Sequence, residues 1–409
     1  MNSILKLLFS FTSISLLNKI IPLITVPLLT NNLGLENYGK YVFTIAIIGF
    51  LETVINFGLK TTGVNELILC NCIKDESKLF FIVLIIKGGL LILSFLMFYG
   101  LFLFSMFDAL EALFYCIPFT FGYVFNQEWF FHGKKQMTIV AILTIIVRII
   151  FLAAIYIYIQ SPKDLNLALL LTSSSFFILS ILETVIAIFR YGITLNVSIK
   201  IIDFKQHILK SVHFFLTTLN VYFISSFNYI LLGNFYEISS VGVYSIADKV
   251  VKASTEISTL INNSTYPTLS NLFKFDKVKY QNSVIRIKRI QYFLFSILVI
   301  LVIYNSKIIF GFFNSDFSQL NLGVSLLIIL SLSLPFQALN SFSALRFVIM
   351  QKQKLLFHIS IIISITSLVL LSLVGYHLNI EYFALANVLI IFFFWTLLNM
   401  NLSSFNQIN

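Results

Sequence analysis

The chain has 409 residues, of which 58% are hydrophobic and only 11% are charged, whereas about 25% of the residues in a typical soluble domain are charged. A soluble fold cannot bury that much apolar surface, so the composition indicates that lipid is the solvent. A net charge of +10 is compatible with nucleic-acid binding, but basic residues in a membrane protein usually mark its cytoplasmic loops. We therefore expect a membrane protein without a nucleic-acid partner.

Apolar stretches recur along the whole chain, each about as long as the roughly 20 residues that cross a bilayer as a helix. They predict an all-α polytopic fold with about twelve transmembrane helices. The first stretch has no small-residue cleavage site like that of a signal peptide, so we expect it to remain as the first helix. The predicted spans are residues 8–30, 41–60, 80–104, 109–130, 137–159, 165–189, 208–232, 241–264, 290–312, 321–346, 355–377 and 381–402.

The basic residues are distributed unevenly between the two sides of these spans. If the amino terminus is inside, 19 of the 27 Lys and Arg residues fall on the cytosolic side, and the positive-inside rule then places both termini in the cytosol. Five basic residues lie within predicted spans, namely Lys19, Lys87, Arg148, Lys249 and Lys252. We expect Lys87 to extend its ammonium group to the cytosolic surface, and we assign it no role.

A short basic connection near residues 190–207 divides the chain into two halves. We predict an amino-terminal lobe of residues 1–198 with helices 1–6 and a carboxy-terminal lobe of residues 199–409 with helices 7–12. A short repeat supports this division, because YGKY at 38–41 resembles VGVY at 241–244. Both copies begin a helix that enters from outside, as expected for lobes that are parallel repeats.

Ionisable side chains near the bilayer centre cost about 2.5–3.5 kcal/mol on insertion scales, so each one is a candidate functional residue. Lys19, Glu52 and Arg148 lie near the midplane of predicted helices 1, 2 and 5. Helix 8 carries a polar stripe with the three-or-four spacing of one helix face, and Lys249 lies just beside it. The stripe consists of Ser245, Asp248, Lys252, Thr255, Glu256, Thr259 and Asn263.

These charges have two interpretations. They either neutralise one another and hold the helices together, or they face a hydrated cavity. The two are evenly balanced for Lys19 and Glu52, whereas Arg148, with no acid near it in sequence, and Lys252 favour the cavity. Glu183 lies closer to the cytosolic end of its helix and can pair with a loop cation. Prolines within the spans, among them Pro118 and Pro335, predict kinks.

No pattern typical of catalysis or of metal binding occurs in the chain. The five histidines are far apart, and the three cysteines are too few and too scattered for a disulfide framework. We expect no enzymatic activity, no catalytic residue, no cofactor and no metal site.

Three segments together resemble the polysaccharide flippases, the O-antigen flippase type of the multidrug/oligosaccharidyl-lipid/polysaccharide exporter superfamily. Residues 15–41, SLLNKIIPLITVPLLTNNLGLENYGKY, are similar to the opening helix of that family with its basic residue, spaced prolines and L-G-x-x-x-Y-G turn. Residues 127–137, QEWFFHGKKQM, resemble its W-x-F-Q-G motif, with His132 where glutamine is usual. Residues 214–272 contain the third match, in NYILLGNF, VGVYSIADKVVKA and YPTLS.

The resemblance implies a fold like that of the multidrug exporters of this superfamily (MATE), with two six-helix lobes around a cation-lined cavity. A flippase of this type moves a polyprenyl-pyrophosphate-linked oligosaccharide, such as an O-antigen repeat unit, from the cytoplasmic to the outer leaflet of the bacterial inner membrane by alternating access. Lys19, Asp248, Lys249 and Lys252 match positions of the family's cavity, and Arg148 is added by its depth in the bilayer. The expected substrate-binding residues are Lys19, Arg148, Lys249 and Lys252. Because acidic groups in a transporter core are the usual ion relays, the expected ion-coupling residues are Asp248, Glu256 and Glu52.

The partners that this resemblance implies are the lipid-linked oligosaccharide, membrane lipids, and a polysaccharide polymerase with its chain-length regulator. Three alternatives remain open. A multidrug exporter of the same superfamily would need an acidic cavity, and helices 1 and 5 carry cations instead. A membrane glycosyltransferase, polymerase or ligase typically has a large outer loop or a catalytic acid motif. A structural partner in an export complex would leave the charged stripe unexplained.

Overall fold

The computed structural model contains helices and no strands in the residues that it describes. Its backbone is described over residues 2–103, 110–194, 198–313 and 319–407, and its side chains over 24–96, 111–194, 198–313 and 319–402. The helices are α1 Asn2–Asn56, α2 Leu59–Leu67, α3 Ile73–Leu103, α4 Leu110–Phe114, α5 Ile117–Phe125, α6 Glu128–Gly133, α7 Met137–Tyr158, α8 Leu165–Tyr191, α9 Ile201–Ser225, α10 Phe227–Phe235, α11 Ile238–Phe275, α12 Lys277–Tyr304, α13 Ser306–Phe313, α14 Leu320–Ser331, α15 Leu334–Ile349, α16 Gln353–His377 and α17 Ile380–Gln407. The expected all-α fold is confirmed.

Several predicted spans are interrupted by short breaks. The first two run together in α1, whose backbone leaves the helical conformation at Gly34 (φ 75°, ψ 164°), a conformation that glycine adopts without steric cost. The fourth is divided into α4, α5 and α6, and the seventh into α9 and α10. Pro118 and Pro335 lie in the first turn of α5 and of α15, where proline's missing N–H has no intrahelical partner to lose.

Nine helical segments in the described part of the chain are long and apolar enough to cross a membrane. They account for ten of the predicted spans, because the first two share the segment Ile24–Leu67. The fourth span is too fragmented, and α11 is too polar, since it carries four charged residues between Asp248 and Glu256. The protein is therefore a multi-pass membrane protein, and about twelve spans remain consistent with its helices.

The chain forms two compact units. The amino-terminal unit consists of Met1–Ile21 and Lys40–Tyr222, and the carboxy-terminal unit consists of Pro22–Gly39 and Phe223–Asn409. Packing thus groups α9, apart from its last three residues, with the amino-terminal unit. The division into lobes at residues 198 and 199 stays a prediction, because it concerns the arrangement of helices in the membrane.

The core of the amino-terminal unit is built around the segment that resembles the family's aromatic motif. Trp129, Phe130 and Phe131 are all buried, and the ring of Phe130 makes edge-on contacts with Phe80 and Tyr191 at centroid distances of 5.7 and 5.3 Å. Edge-on aromatic pairs contribute beyond the area they bury. The motif therefore stabilises the packing of α6 against its neighbours.

The two copies of the repeated sequence meet in the carboxy-terminal unit. A Cβ atom on Gly39 would lie 1.8 Å from the carbonyl oxygen of Ile238, and one on Gly242 would lie 2.6 Å from the carbonyl oxygen of Leu35. Only glycine allows such a close approach of two backbones. The glycine of each copy is therefore required where the end of segment 22–39 crosses α11.

Two helix ends, one in each half of the chain, have the same turn geometry. Lys135 after α6 and Gln351 after α15 both have left-handed backbone conformations, with φ of 58° and 57°. In each turn the next residue donates its backbone N–H to a carbonyl at the end of the preceding helix, over 2.8 Å, from Gln136 to Phe131 and from Lys352 to Phe347. The end of α8 has the same geometry, with a φ of 64° at Gly192 and the backbone N–H of Ile193 on the carbonyl of Ile188, so the turn is a common way to end a helix.

Candidate functional site

The polar stripe of α11 is the centre of a charged cluster in the carboxy-terminal unit. The Lys252 ammonium lies 2.7 Å from a carboxylate oxygen of buried Asp248, and the hydroxyl of Tyr229 donates to the same oxygen. Lys252 also donates to the carbonyl oxygen of Ser225 at 2.8 Å and lies 5.3 Å from the centre of the Tyr229 ring. We call these four residues the Lys252 cluster.

The break between α9 and α10 explains why Lys252 points here. The last carbonyl groups of a helix have no intrahelical partner, and the carbonyl of Ser225, where α9 ends, is satisfied by the lysine. An ammonium group has three N–H donors, and described residues use two of those of Lys252. Its side chain remains 38% exposed, so one donor is left for water or a bound anion.

Lys249 is held by a different contact. Its ammonium donates to the hydroxyl of buried Tyr38 at 2.7 Å and lies 5.0 Å from the centre of that ring. This contact ties segment 22–39 to α11. Glu256 is buried about two turns beyond Asp248, as expected for residues on one helix face.

A second group of charges lies in the amino-terminal unit, at the break between α5 and α6. Lys87 of α3 is fully buried, and its ammonium donates to the carbonyl oxygens of Tyr123 at 3.1 Å and Asn126 at 3.0 Å. Both carbonyls belong to the end of α5, where intrahelical partners are lacking. The prediction that Lys87 extends to the membrane surface is wrong, because these two acceptors hold its ammonium inside the unit.

Glu183 of α8 lies on the same break. It is buried, and one of its carboxylate oxygens accepts hydrogen bonds from the side-chain amide of Asn126 at 3.0 Å and from the backbone N–H of Gln127 at 2.9 Å. The side chain of Gln127 is also buried and accepts from the indole of Trp129 at 2.8 Å. Glu183 therefore bonds to the helix break and not to a loop cation.

Three further charged side chains form a more exposed layer beside this break. The ammonium of Lys60 lies 3.8 Å from Glu52 and 3.6 Å from Glu128, and all three side chains are 37–39% exposed. Asn56 also donates to Glu52, at 3.4 Å. Glu52 thus has a cation partner eight residues further along the chain, in α2.

Arg148 and Lys19 are the remaining predicted cations. Arg148 of α7 is half-buried and forms no ion pair with any residue whose side chain the structure describes. Lys19 lies outside the described side chains, so its predicted pairing with Glu52 remains a prediction.

A cleft of about 340 Å³ lies between α2, α3 and α9 in the amino-terminal unit. Its walls carry ion pairs between Glu66 and Lys210 at 2.9 Å and between Lys78 and Asp203 at 2.7 Å, and His207 lies 2.9 Å from Glu66. Acidic and basic groups are paired here, so the cleft has no excess positive charge with which to attract an anionic headgroup. We interpret these contacts as structural.

Residues 4–273, about two thirds of the chain, match the family model described as polysaccharide biosynthesis protein. The chain belongs to this family. The resemblance of its three sequence segments to the polysaccharide flippases is thereby confirmed.

Two relatives carry names that refer to O-antigen transport. The chain is 23% identical over 270 residues to such a protein of Escherichia coli (strain K12), and the match covers 64% of this chain and 64% of the relative. A protein of Shigella dysenteriae with the same name is 23% identical over 290 residues, with 69% of this chain and 70% of the relative covered. The chain thus spans less than two thirds of the E. coli relative in this match.

Solved structures of a lipid flippase and of a multidrug transporter share the fold. The lipid II flippase MurJ in its inward closed conformation has a TM-score of 0.76 at 17% identity, over 97% of this chain and 87% of MurJ. An inward-facing MATE multidrug transporter has a TM-score of 0.69 at 12% identity, over 95% of this chain and 99% of the transporter. At these identities the likeness concerns the fold, and the expected MATE-like fold is confirmed.

In this polysaccharide biosynthesis protein the structure brings together only part of the predicted site. Asp248 and Lys252 are in direct contact, and Lys249 and Glu256 lie on the same helix, whereas Glu52 and Arg148 belong to the other unit. The roles of all these residues remain predictions.

The sequence interpretation missed Tyr229 and Asn126 and assigned no role to Lys87. Tyr229 could have been predicted from the sequence, because it lies in the family motif NYILLGNF. Asn126 and Lys87 could not be predicted, because their contacts depend on the break between α5 and α6. The sequence does not indicate that break, since neither glycine nor proline stands where α5 ends.

Proposed function

We propose that this protein is a flippase that moves a polyprenyl-pyrophosphate-linked oligosaccharide from the cytoplasmic to the outer leaflet of the bacterial inner membrane by alternating access. The observation that carries this proposal is the family match over residues 4–273, which contains all four predicted substrate-binding cations. The names of the relatives support transport of an O-antigen unit. We propose no enzymatic activity, since those relatives are named as transporters.

The chemistry of the substrate fits the cations. A pyrophosphate carries about two negative charges, and in a membrane it needs positive groups that are shielded from lipid. Lys252 has one N–H donor that no described residue uses, and Arg148 has no described acidic partner, so both have bonding capacity for an anion. Arginine binds phosphate oxygens in bidentate geometry, and lysine acts as a point charge.

We propose Lys19, Arg148, Lys249 and Lys252 as substrate-binding residues and Asp248, Glu256 and Glu52 as ion-coupling residues. Asp248 already has a cation and a hydroxyl donor beside it. Of the two acids of α11 we propose Glu256 as the one that takes up and releases an ion, because it lies deeper in the predicted span. We also propose a polysaccharide polymerase and its chain-length regulator as partners, and membrane lipids as the solvent of the lipid tail.

The function is tested by reconstitution. Purified protein is placed in liposomes with a polyprenyl-pyrophosphate disaccharide that carries a fluorescent dye on its sugar, and a membrane-impermeant reductant quenches the dye in the outer leaflet. We expect nearly all of the dye to be quenched with the protein present, and only the outer-leaflet fraction in protein-free liposomes. Equal protection of the inner-leaflet dye in both, together with protein-dependent movement of ethidium, would contradict the flippase and favour a multidrug exporter.

The topology follows from the distribution of basic residues. We expect single cysteines placed near residues 36, 163 and 237, in a cysteine-free background, to react with an impermeant maleimide from outside intact cells, and cysteines near 134 and 277 to react only after disruption. The physical reason is the positive-inside rule. Labelling of position 134 in intact cells would rule out cytosolic termini.

The proposed substrate-binding cations should matter more for transport than for folding. A hydrogen bond to a charged group contributes about 1.5–3 kcal/mol, so alanine at Arg148 or Lys252 is expected to slow flipping about 10- to 100-fold while the amount of protein in the membrane is retained. The same is expected for Lys19. The matched control is Lys163→Ala, because Lys163 is exposed and lies in a predicted outer loop. Loss of protein in parallel with loss of flipping would instead assign these cations to packing.

A further inference from the structure

The charges at the break between α5 and α6 do not balance. Among the residues that the structure describes, the charged side chains that contact this break or Lys60, together with Lys60 itself, are three carboxylates and only two ammonium groups. We call this group the helix-break cluster. Its members are Glu52, Lys60, Lys87, Glu128 and Glu183.

The two buried members, Lys87 and Glu183, carry opposite charges. The excess negative charge belongs to Glu52, Lys60 and Glu128, whose side chains are 37–39% exposed. Of the three carboxylates, Glu183 is the one withdrawn from solvent, where an ionised group is most costly. The charged groups that face Glu183 are Glu128 on α6, Lys60 on α2 and Lys87 on α3. The cluster becomes neutral when it takes up one additional positive charge.

The ligands left in the cluster fit a proton better than a metal ion. Carbonyl groups at a break in a membrane helix are the usual ligands of a coupling Na⁺, but here the carbonyls of Tyr123 and Asn126 are occupied by the ammonium of Lys87. What remains at the buried end is the carboxylate of Glu183 and the amide oxygen of Asn126. These two groups cannot complete the shell of about six oxygens that a hard cation requires.

An independent observation points to the same ligand. Asn126 is buried and donates its amide N–H to Glu183, yet its amide oxygen has no hydrogen-bond partner. A buried acceptor without a donor costs about 1–3 kcal/mol. If Glu183 is protonated, it provides an O–H group, and a rotated Asn126 amide accepts that hydrogen bond through its oxygen. The same asparagine thus serves the charged and the neutral carboxyl group.

We propose that Glu183 is a proton-binding site of the amino-terminal unit and exchanges one proton with water by way of the exposed layer formed by Glu52, Lys60 and Glu128. The carboxylate of Glu183 takes a proton delivered by a hydronium ion at this layer, which leaves a water molecule, and the neutral acid returns the proton to water when it ionises. The use of this step to drive transport rests on the proposed flippase function, whereas the binding of the proton does not.

Infrared spectroscopy of the full-length protein in liposomes tests the site directly. A buried protonated carboxyl group has a separate carbonyl stretching band that shifts in heavy water. We expect a component of this band to appear as the pH is lowered, to be missing from Glu183→Gln and to remain in Glu237→Gln, whose glutamate is exposed; Asp248 and Glu256, which are also buried, contribute to the band equally in all three proteins. Glutamine keeps the acceptor oxygen for Asn126 and Gln127, so Glu183→Gln is expected to fold.

A second variant keeps the test decisive if Glu183→Gln does not fold. Asn126→Ala removes the partner of the carboxyl group, so the band should shift in frequency while the protein stays monodisperse in detergent. An unchanged band in both variants would overturn the proposal. So would saturable binding of ²²Na⁺ that requires Glu183. The infrared band tests proton binding by Glu183 and the liposome assay tests transport, so failure of one proposal can be told apart from failure of the other.

Discussion

Replacement of Lys87 by alanine is expected to lower the stability of the protein by about 3–5 kcal/mol, the usual cost of removing one partner from a buried set of charges. The substitution leaves the carbonyls of Tyr123 and Asn126 without their donor and takes away a positive charge that faces Glu183. It also opens a cavity at a fully buried position. The measurement is the thermal loss of the monodisperse peak of the detergent-solubilised protein.

Lys74→Ala is the matched control, because Lys74 lies on the same helix but is exposed, and exposed charges change stability by at most about 0.5 kcal/mol. The double variant Lys87→Met with Glu183→Gln is expected to regain part of the loss, since replacing a buried charge pair by uncharged groups of similar size is often neutral. Equal melting of Lys87→Ala and Lys74→Ala would show that the ammonium contributes little at the helix break.

Alanine at Gly39 is expected to be the second severe substitution. Its Cβ would lie 1.8 Å from the carbonyl oxygen of Ile238, a backbone atom that cannot move aside as a flexible side chain does. The end of segment 22–39 and α11 would have to separate. Overpacking of a closely packed contact typically costs about 1–3 kcal/mol, and valine at the same position should cost more. We expect reduced membrane yield and a lower melting temperature for both variants.

Gly89→Ala serves as the control of opposite sign. Gly89 lies within α3, and among the described residues nothing beyond its own helix comes within 4 Å of the Cβ that alanine would add. Alanine is favoured over glycine in a helix interior by about 1 kcal/mol, so the control should melt at or above the temperature of the parent. If Gly39→Ala behaves like Gly89→Ala, the two backbones are not in contact in the membrane.

The breaks in the helices connect these residues to the proposed transport. Lys87 binds carbonyls at the end of α5, and Lys252 binds a carbonyl at the end of α9. In each unit an ammonium group therefore satisfies backbone acceptors that lipid could not hydrate. The difference lies in exposure: Lys87 is fully buried, whereas the side chain of Lys252 is 38% exposed. This difference is why we assign Lys87 to the structure of the helix break and Lys252 to the substrate.

The sequence alone determined the class of protein and most of its helices. Segments of about 20 apolar residues that lie in lipid must satisfy their own backbone hydrogen bonds, and a helix does so. The polar stripe of α11 follows from helical periodicity, which is a local property of the sequence. The family resemblance was also readable, because its motifs are continuous stretches such as residues 127–137.

Only the tertiary structure decided which polar groups meet. The break after Phe125 has no glycine or proline of its own, and its freed groups are satisfied by Lys87 from α3 and Glu183 from α8, which lie 36 to 57 positions away along the chain. The contact of Gly39 with Ile238 of α11 spans 199 positions. Hydrogen bonds and close backbone contacts of this kind depend on how helices pack, and a local pattern of hydrophobic residues carries no information about the partner on another helix.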